Sequence, residues 1–376
     1  MSLFHYVTYK YIIIKDKRLG IAYYILAFLI IFYTLVQLLV NKSYLQYDSS
    51  PSGNMRILVN TPTKLQNDEN EYNINPDYCK QKESANSTIC RKLDGLSINW
   101  PIESRSVTLA TFIKEKWQRP KDCQYALVYD PENPVKYEDL RDVDYYAVNP
   151  EFALIKVEHS FTAFSGQLTH SHRRMSGSLV DMNGNTIKRL NSNGVSKVDK
   201  ILLKDFLIAA NVSLDEVSDA LNAKERTFRQ NGLILHVSIM YKNSEKMLYG
   251  VNIPEYTYHV RRVPFSDYRL KQEIPIANNE GNICERIIKK RYAVRIEFHQ
   301  GGKIGQFSSA NLVFQLVSVM GLLTLTATVI DVIALYIVPN KDNYRQYVFD
   351  ESPEFSEQEK QTLKENVNDE QSKKDQ

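Results

Sequence analysis

Two stretches carry residues placed for chemistry. In KKRYAVRIEF, 289–298, strand alternation puts Lys290 at the head of a face that continues with Tyr292, Val294, Ile296 and Phe298. Lys289, Arg291, Arg295 and Glu297 take the other face. An ammonium leading an apolar face wants an anion, either a protein carboxylate or a ligand phosphate. The plainer alternative is a lysine whose stem lies on the apolar surface with its head in water. The second stretch, SVMGLLTLTATVID, sets a serine, three threonines and Asp331 within an apolar run. An ionisable group inside a membrane marks a functional position by default. Asp331 also stands close to Pro339, where it reaches headgroup water. His170 and His172 share a strand face, but with no third ligand identifiable they are read as loop histidines, and no metal or cofactor is expected.

The elements that position these residues begin with two membrane spans. A bilayer needs roughly 20 apolar residues; 19–40 and 311–338 both satisfy that. The first is too long for a signal-peptide core and has no small-residue cleavage site after it. Lys10, Lys15, Lys17 and Arg18 precede it with only Asp16 against them, which puts 1–18 in the cytosol. Two spans return 339–376 to the cytosol and leave 41–310 outside or in a lumen. A domain of that size buries roughly three quarters of its unfolded surface. A net charge of +3 gives no indication of a nucleic-acid partner.

All four cysteines, Cys79, Cys90, Cys123 and Cys284, lie in 41–310. An even set on the oxidising side reads as two disulfides, and of the three connectivities Cys79–Cys90 with Cys123–Cys284 is the one expected. Asn86 and Asn211 head sequons that face glycosylation machinery in this topology. The domain reads mostly as strands, among them LILHVSIMY. Asn183-Gly184 sits between two apolar runs as a hairpin turn. Ile201, Leu202, Phe206 and Leu207 suggest one short helix, Gly301-Gly302 a hairpin, and 67–86 a polar surface excursion. The tail after Phe349 is charged and poor in apolar residues, the composition of a disordered segment.

Several phrases in order resemble the ATP-gated purinergic receptor channels. These are YVTYK ahead of the first span, with Thr8 and Lys10 as a Thr-x-Lys motif, IIIKDKRLG leading into it, and ILLKDFLIAANVSLDEVS like a short lumenal helix. RIIKKRYAVRIEFHQGGKIGQF is similar to the last ectodomain strands, and LVSVMGLLTLTATVIDVIALY to the second span. The animal-type family carries ten loop cysteines, so a chain with four resembles a divergent, protist-type member. The resemblance implies a membrane protein with two transmembrane helices, a large β-rich extracellular or lumenal domain and a trimeric channel architecture. It implies a ligand-gated, non-selective cation channel, not an enzyme. ATP or a related nucleotide binds between subunits, sodium, potassium and calcium permeate, and the chain assembles as a homotrimer in a membrane.

By the same resemblance, Lys290 falls on a phosphate-binding lysine. The family's first lysine pair is replaced by Leu58 and Asn60, its adenine-contacting threonine by Leu154, and its Asn-Phe-Arg triplet is absent. Arg56, Lys64, Lys156 and Lys289 are the cations near these positions, and polyphosphate needs several that converge. At 100° per residue, Asn311, Gln315, Ser318, Leu322 and Leu325 share one helix face. The resemblance sets Ser318 at the narrow part of a closed pore, with Leu322 one turn below as a ring that gates by dewetting. Asp331 lies about 130–140° off that face, at the cytosolic mouth or between helices. Leu323 is the expected lipid-facing residue. A nucleotide hydrolase would need phosphate-cradling glycine loops, and Gly301-Gly302 is the single glycine pair. A two-span lumenal receptor or transfer protein would not need the polar stripe, and a sodium-channel-like trimer would need a small-residue filter that is absent. Surface members carry Tyr-x-x-x-Lys after the second span; here Tyr344 is followed four residues on by Val348. An internal, vacuolar membrane is the expectation from that loss.

Overall fold

The computed structural model describes residues 16–62, 76–79, 89–121, 136–166, 168–171, 175–191, 198–221, 223–243, 254–277, 283–339 and 341–348. The chain divides into two compact units, Met1–Gln46 with Gln306–Gln376, and Tyr47–Gly305. In chain order the elements are α1 (Lys17–Leu39), β1 (Leu45–Asp48), β2 (Met55–Asn60), β3 (Ile89–Arg91), α2 (Gly95–Ile98), β4 (Ser106–Pro120), β5 (Tyr137–Ala147), β6 (Leu154–Ala163) and β7 (Leu168–Ser171). There follow β8 (Ser176–Val180), β9 (Thr186–Leu190), β10 (Asp199–Leu202), α3 (Leu203–Ala209), α4 (Phe228–Asn231), β11 (Leu233–Lys242), β12 (Glu255–Arg262), β13 (Arg269–Ala277) and β14 (Ile283–Phe307). The last are α5 (Ser309–Val332), a π-helical turn at Ile333–Ile337, and α6 (Lys341–Val348).

The strand-rich unit holds two sheets. The larger runs β3-β5-β4-β14-β11-β12-β8-β9, with β1 and β13 also on β14. The smaller runs β10-β6-β2, with β7 also on β6. Their inner faces form one cluster in which Ile57, Ile155 and Val157 meet Leu109, Leu235, Val237, Ile296 and Phe298. Burial of these β-branched and aromatic side chains, worth about 1.5–3 kcal/mol each, is what joins the sheets. β14 is the spine: β13 and β4 flank it antiparallel, and β11 flanks its later half in parallel.

The Asn183-Gly184 hairpin is present between β8 and β9, and Gly184 takes a positive φ of 88°. Three expectations need correction. Ile201 and Leu202 end a strand, and the helix that follows them is α3, because β10 pairs with β6 before the chain turns. Gly301-Gly302 is no hairpin. β14 runs straight through it, and Gly302 (φ 133°) is needed because a Cβ there would sit 2.2 Å from the Tyr241 carbonyl oxygen of β11. Arg291, read as lying on a polar face, is buried, donating to the Ser97 carbonyl and the Gln272 side chain. Most of 67–86, His172 and the tail after Phe349 lie outside the described residues.

In the other unit α1 and α5 are long and apolar enough to cross a membrane, and each is mostly exposed. One cluster of their packing lies where Leu19 meets Ile330 and Ala334. Asp16 caps α1 by accepting from the Arg18 amide, and Ser308 caps α5 by accepting from the Asn311 amide. Tyr344 lies on helix α6, not on an unstructured tail, and its hydroxyl donates to Asp16. That bond lowers the Asp16 carboxyl below its ordinary range.

Candidate functional site

Arg56 and Lys156 come together on the small sheet. β2 and β6 pair antiparallel with Arg56 opposite Glu158 and Leu58 opposite Lys156. On the other side of β6, Lys200 of β10 stands opposite Lys156. Residues opposite each other share a face, so Arg56, Lys156 and Lys200 form a basic outer face with Glu158 as its one acid among these positions. None of the three cations makes an ion pair or hydrogen bond through its side chain among the described residues. At the end of this sheet Asn60 and Leu154 line a cleft of about 430 Å³ with Thr61, Asp94 and Gly95. Lys64 lies outside the described residues.

Lys290 is on the large sheet and is exposed. It stands between Lys271 of β13 and Lys114 of β4. Lys114 is paired with Asp144 at 2.8 Å, whereas Lys290 and Lys271 make no ion pair among the described residues. Like charges directly opposite one another repel, so a row of three lysines with one acid is a standing demand for an anion. Beside it on the same face Tyr292 packs with Phe112 and Tyr146. Lys289 points the other way and lies 3.3 Å from Glu115, which is itself 5% exposed. Burial acts to raise the Glu115 pKa, but Trp117, Lys289 and Tyr145 together hold it below its ordinary value. Lys289 is thus a fixed internal cation.

Sequence reasoning missed Lys200 and Lys271. Lys271 had a signal, since Arg269, Lys271 and Glu273 recur at every second position, as on one face of a strand. Lys200 had none, because its place beside Lys156 depends on a pairing between strands distant in sequence.

A larger cavity of about 790 Å³ lies around Tyr78, Tyr146, Glu151, Asp215 and Arg229. Its charge is already compensated: Arg229 is paired with Glu151 and with Asp215, and lies 3.8 Å from the Tyr78 ring centre. Burial and the Glu151 charge push the Tyr78 phenol up to about 12. This is a structural ion cluster. The nearby disulfide joins Cys79 to Cys90. Cys284 is also disulfide-bonded, and Cys123, with the sequon residue Asn86, lies outside the described residues. Asn211 is exposed, with a positive φ of 50°.

On α5, Ser318, Leu322 and Asp331 are exposed and Gln315 is half-buried. The Asn311 side chain donates to the Leu45 carbonyl, so this member of the polar stripe is tied to the segment that follows α1. Leu323, expected to face lipid, is half-buried and follows the line Thr326, Ile330 and Ala334 that turns toward α1.

A family model described as ATP P2X receptor matches residues 223–351. That segment contains β11 to β14, Lys271, Lys290 and α5. P2X receptor C of Dictyostelium discoideum is 28% identical over 364 residues, covering 94% of this chain and 93% of the relative. P2X receptor E of the same organism is 29% identical, covering 93% and 88%. The fold is similar to the crystal structure of the chicken ATP-gated P2X7 receptor channel with the competitive antagonist TNP-ATP, at a TM-score of 0.54 and 14% identity, over 84% of this chain and 99% of that one. Relatives match along nearly the whole length, and the family-model match extends over the spine strand and the second span, so the chain is similar in sequence and in fold to the P2X receptors.

Proposed function

We propose that this protein is a nucleotide-gated, non-selective cation channel that works as a homotrimer, with ATP or a close relative as agonist. The carrying observation is Lys290. It lies in the family-matched segment, is exposed, and has Lys271 and Lys114 for neighbours with no acid of its own among the described residues. Arg56, Lys156 and Lys200 lie on a different sheet. A phosphate chain held between two copies draws the small-sheet cations from one subunit and Lys290 with Lys271 from the next. Charge-assisted contacts from several cations supply the affinity that a lysine pair supplies in other members. Lys289 keeps Glu115 neutralised and positions the strand. Ser318 and Leu322 line the pore, Leu322 as the apolar ring, and Asp331 stands near the cytosolic mouth. Sodium, potassium and calcium pass.

Replacing Lys290 with alanine should raise the ATP concentration for half-maximal current by at least about tenfold, from one lost contact of roughly 1.5–3 kcal/mol. An unchanged dose–response curve, recorded with nucleotide on the strand-rich side and at normal expression, would remove Lys290 from the site. We also propose that the strand-rich unit faces the lumen of an internal compartment such as a contractile vacuole, with Asn211 glycosylated. Support comes from the missing lysine at Val348 and from the engagement of Tyr344 by Asp16, which withholds the motif tyrosine. Biotinylation of intact cells that labels most of the protein would overturn this placement.

A further inference from the structure

The outward face of the large sheet carries a second set of groups that the nucleotide reading does not use. β11 and β14 run parallel with His236 opposite Glu297 and Ser238 opposite His299. Side chains two apart on a strand share a face, so His236, Glu297 and His299 project together. His236 Nε2 lies 3.1 Å from Glu297 Oε2, and the His236 and His299 ring centres are 5.6 Å apart. The ligand atoms of all three lie within 4.8 Å of one another. We propose that these residues form a binding site for a transition-metal dication of the zinc or copper class.

The distances need little adjustment. A tetrahedral ion with bonds of about 2.0–2.2 Å holds its ligands roughly 3.3–3.5 Å apart. The His236–Glu297 pair, at 3.1 Å, has only to open by a few tenths of an ångström. His299 closes the remainder by side-chain rotation, since it is exposed and makes no hydrogen bond among the described residues. The carboxylate is oriented in advance. Arg295 Nε donates to Glu297 Oε1 at 2.7 Å, leaving Oε2 toward His236. Such outer contacts fix a ligand and tune the ion it holds.

The donor set chooses the ion. Two imidazoles and one carboxylate suit zinc or copper, whereas calcium and magnesium take oxygen cages. The surrounding charge points the same way. Arg295 is on this face and Arg261 stands opposite His236 across β12. Two guanidinium groups repel any cation held by charge alone, so the ion must be one that binds imidazole strongly. His259, opposite Ser238, is near but outside the group. Three protein ligands leave a fourth position open for water or a further group.

The test is zinc chloride titrated into tag-free, full-length protein in detergent, read by calorimetry and by bound metal after dialysis. Wild type should bind one equivalent per chain more than the H236Q/H299Q double variant. His299→Gln alone should weaken binding at least about tenfold; this exposed change keeps the test usable if the double variant unfolds. His259→Gln should leave zinc binding unchanged. Zinc uptake equal in wild type and in either His299 variant, no uptake by wild type, or loss on changing His259 would each overturn the site. ATP dose–response is a separate readout, so failure here leaves the nucleotide reading intact.

Discussion

Polar groups in apolar surroundings are satisfied in two different ways in this chain. Along α5 the partner is local: Ser318 donates to the Phe314 carbonyl at 2.7 Å, Thr324 to Met320 at 3.0 Å, Thr326 to Leu322 at 2.9 Å and Thr328 to Thr324 at 3.2 Å. In the core of the strand-rich unit the partners come from five strands. Asp199 of β10 accepts from Tyr256 and Tyr258 of β12, at 2.8 and 2.9 Å. His159 of β6 lies 3.5 Å from Asp199 and 2.9 Å from the Tyr241 hydroxyl of β11. Gln300 of β14 donates to Tyr241 and to the Ser160 carbonyl. A helix whose hydroxyls are satisfied by its own carbonyls rotates against neighbours, lipid or water without losing a hydrogen bond. The core network breaks if any one strand moves. Movement belongs to the helix and rigidity to the sheets.

The largest test of that contrast is Asp199→Ala. It removes the carboxylate to which two buried phenols donate, and breaking a buried polar network of this kind costs about 3–5 kcal/mol. Thermal unfolding of the purified protein should shift down strongly, with Asp199→Asn intermediate because it keeps one acceptor oxygen. A shift no larger than that of an exposed-site change would show that the network is not what holds the strands.

Next in size is Leu322→Ser, which should act on function and hardly on stability. An apolar ring gates by dewetting, and a hydroxyl there wets it. The expected outcome is a resting current without nucleotide, with a stability change within the roughly ±0.5 kcal/mol typical of surface changes. A silent channel with lowered stability would place Leu322 in packing instead.

The same contrast explains what was legible in the sequence. The spans, the Asn183-Gly184 turn and the β-rich character depend on local composition and period, and these were readable. The Asp199 network was not, because Asp199, His159 and the three tyrosines are ordinary strand residues until the sheets pack. Lys290 was readable on its own strand, but the row it forms with Lys271 and Lys114 was not. Gly301-Gly302 misled because a glycine pair signals a turn, whereas here Gly302 serves close approach to Tyr241 within one strand.

Alkaline titration sharpens the network half. Burial, then the Asp199 charge, raises the pKa of Tyr256 and Tyr258, and burial raises that of Tyr241. A raised folded-state value means these groups stabilise the fold fully below the ordinary phenol pKa of about 10, and that contribution is lost as pH rises above it. Phenolate absorbance above pH 10 should therefore appear in two parts, with the buried set ionising only as the sheets unfold. A single early step with the fold intact would contradict the burial of the three phenols.

The smallest expected effect is at Ser318. Its hydroxyl is satisfied by the Phe314 carbonyl, so Ser318→Ala removes a local bond and leaves no buried group unpaired. The stability change should fall within about 0.5 kcal/mol. This separates stability from placement, because a self-satisfied serine sits equally well facing lipid, another helix or a pore. Placement is tested by Ser318→Cys, which should react with a water-soluble thiol reagent faster when nucleotide is present. Leu323 is the wrong reference, since it is half-buried on the line toward α1. Met320, 68% exposed and about 160° from Leu322, is the better one. Equal and nucleotide-independent reactivity at Ser318→Cys and Met320→Cys would move Ser318 off the pore face. A large loss of stability in Ser318→Ala would mean that its hydroxyl has a partner beyond its own helix, and the distinction between the two halves of the molecule would fail at that residue.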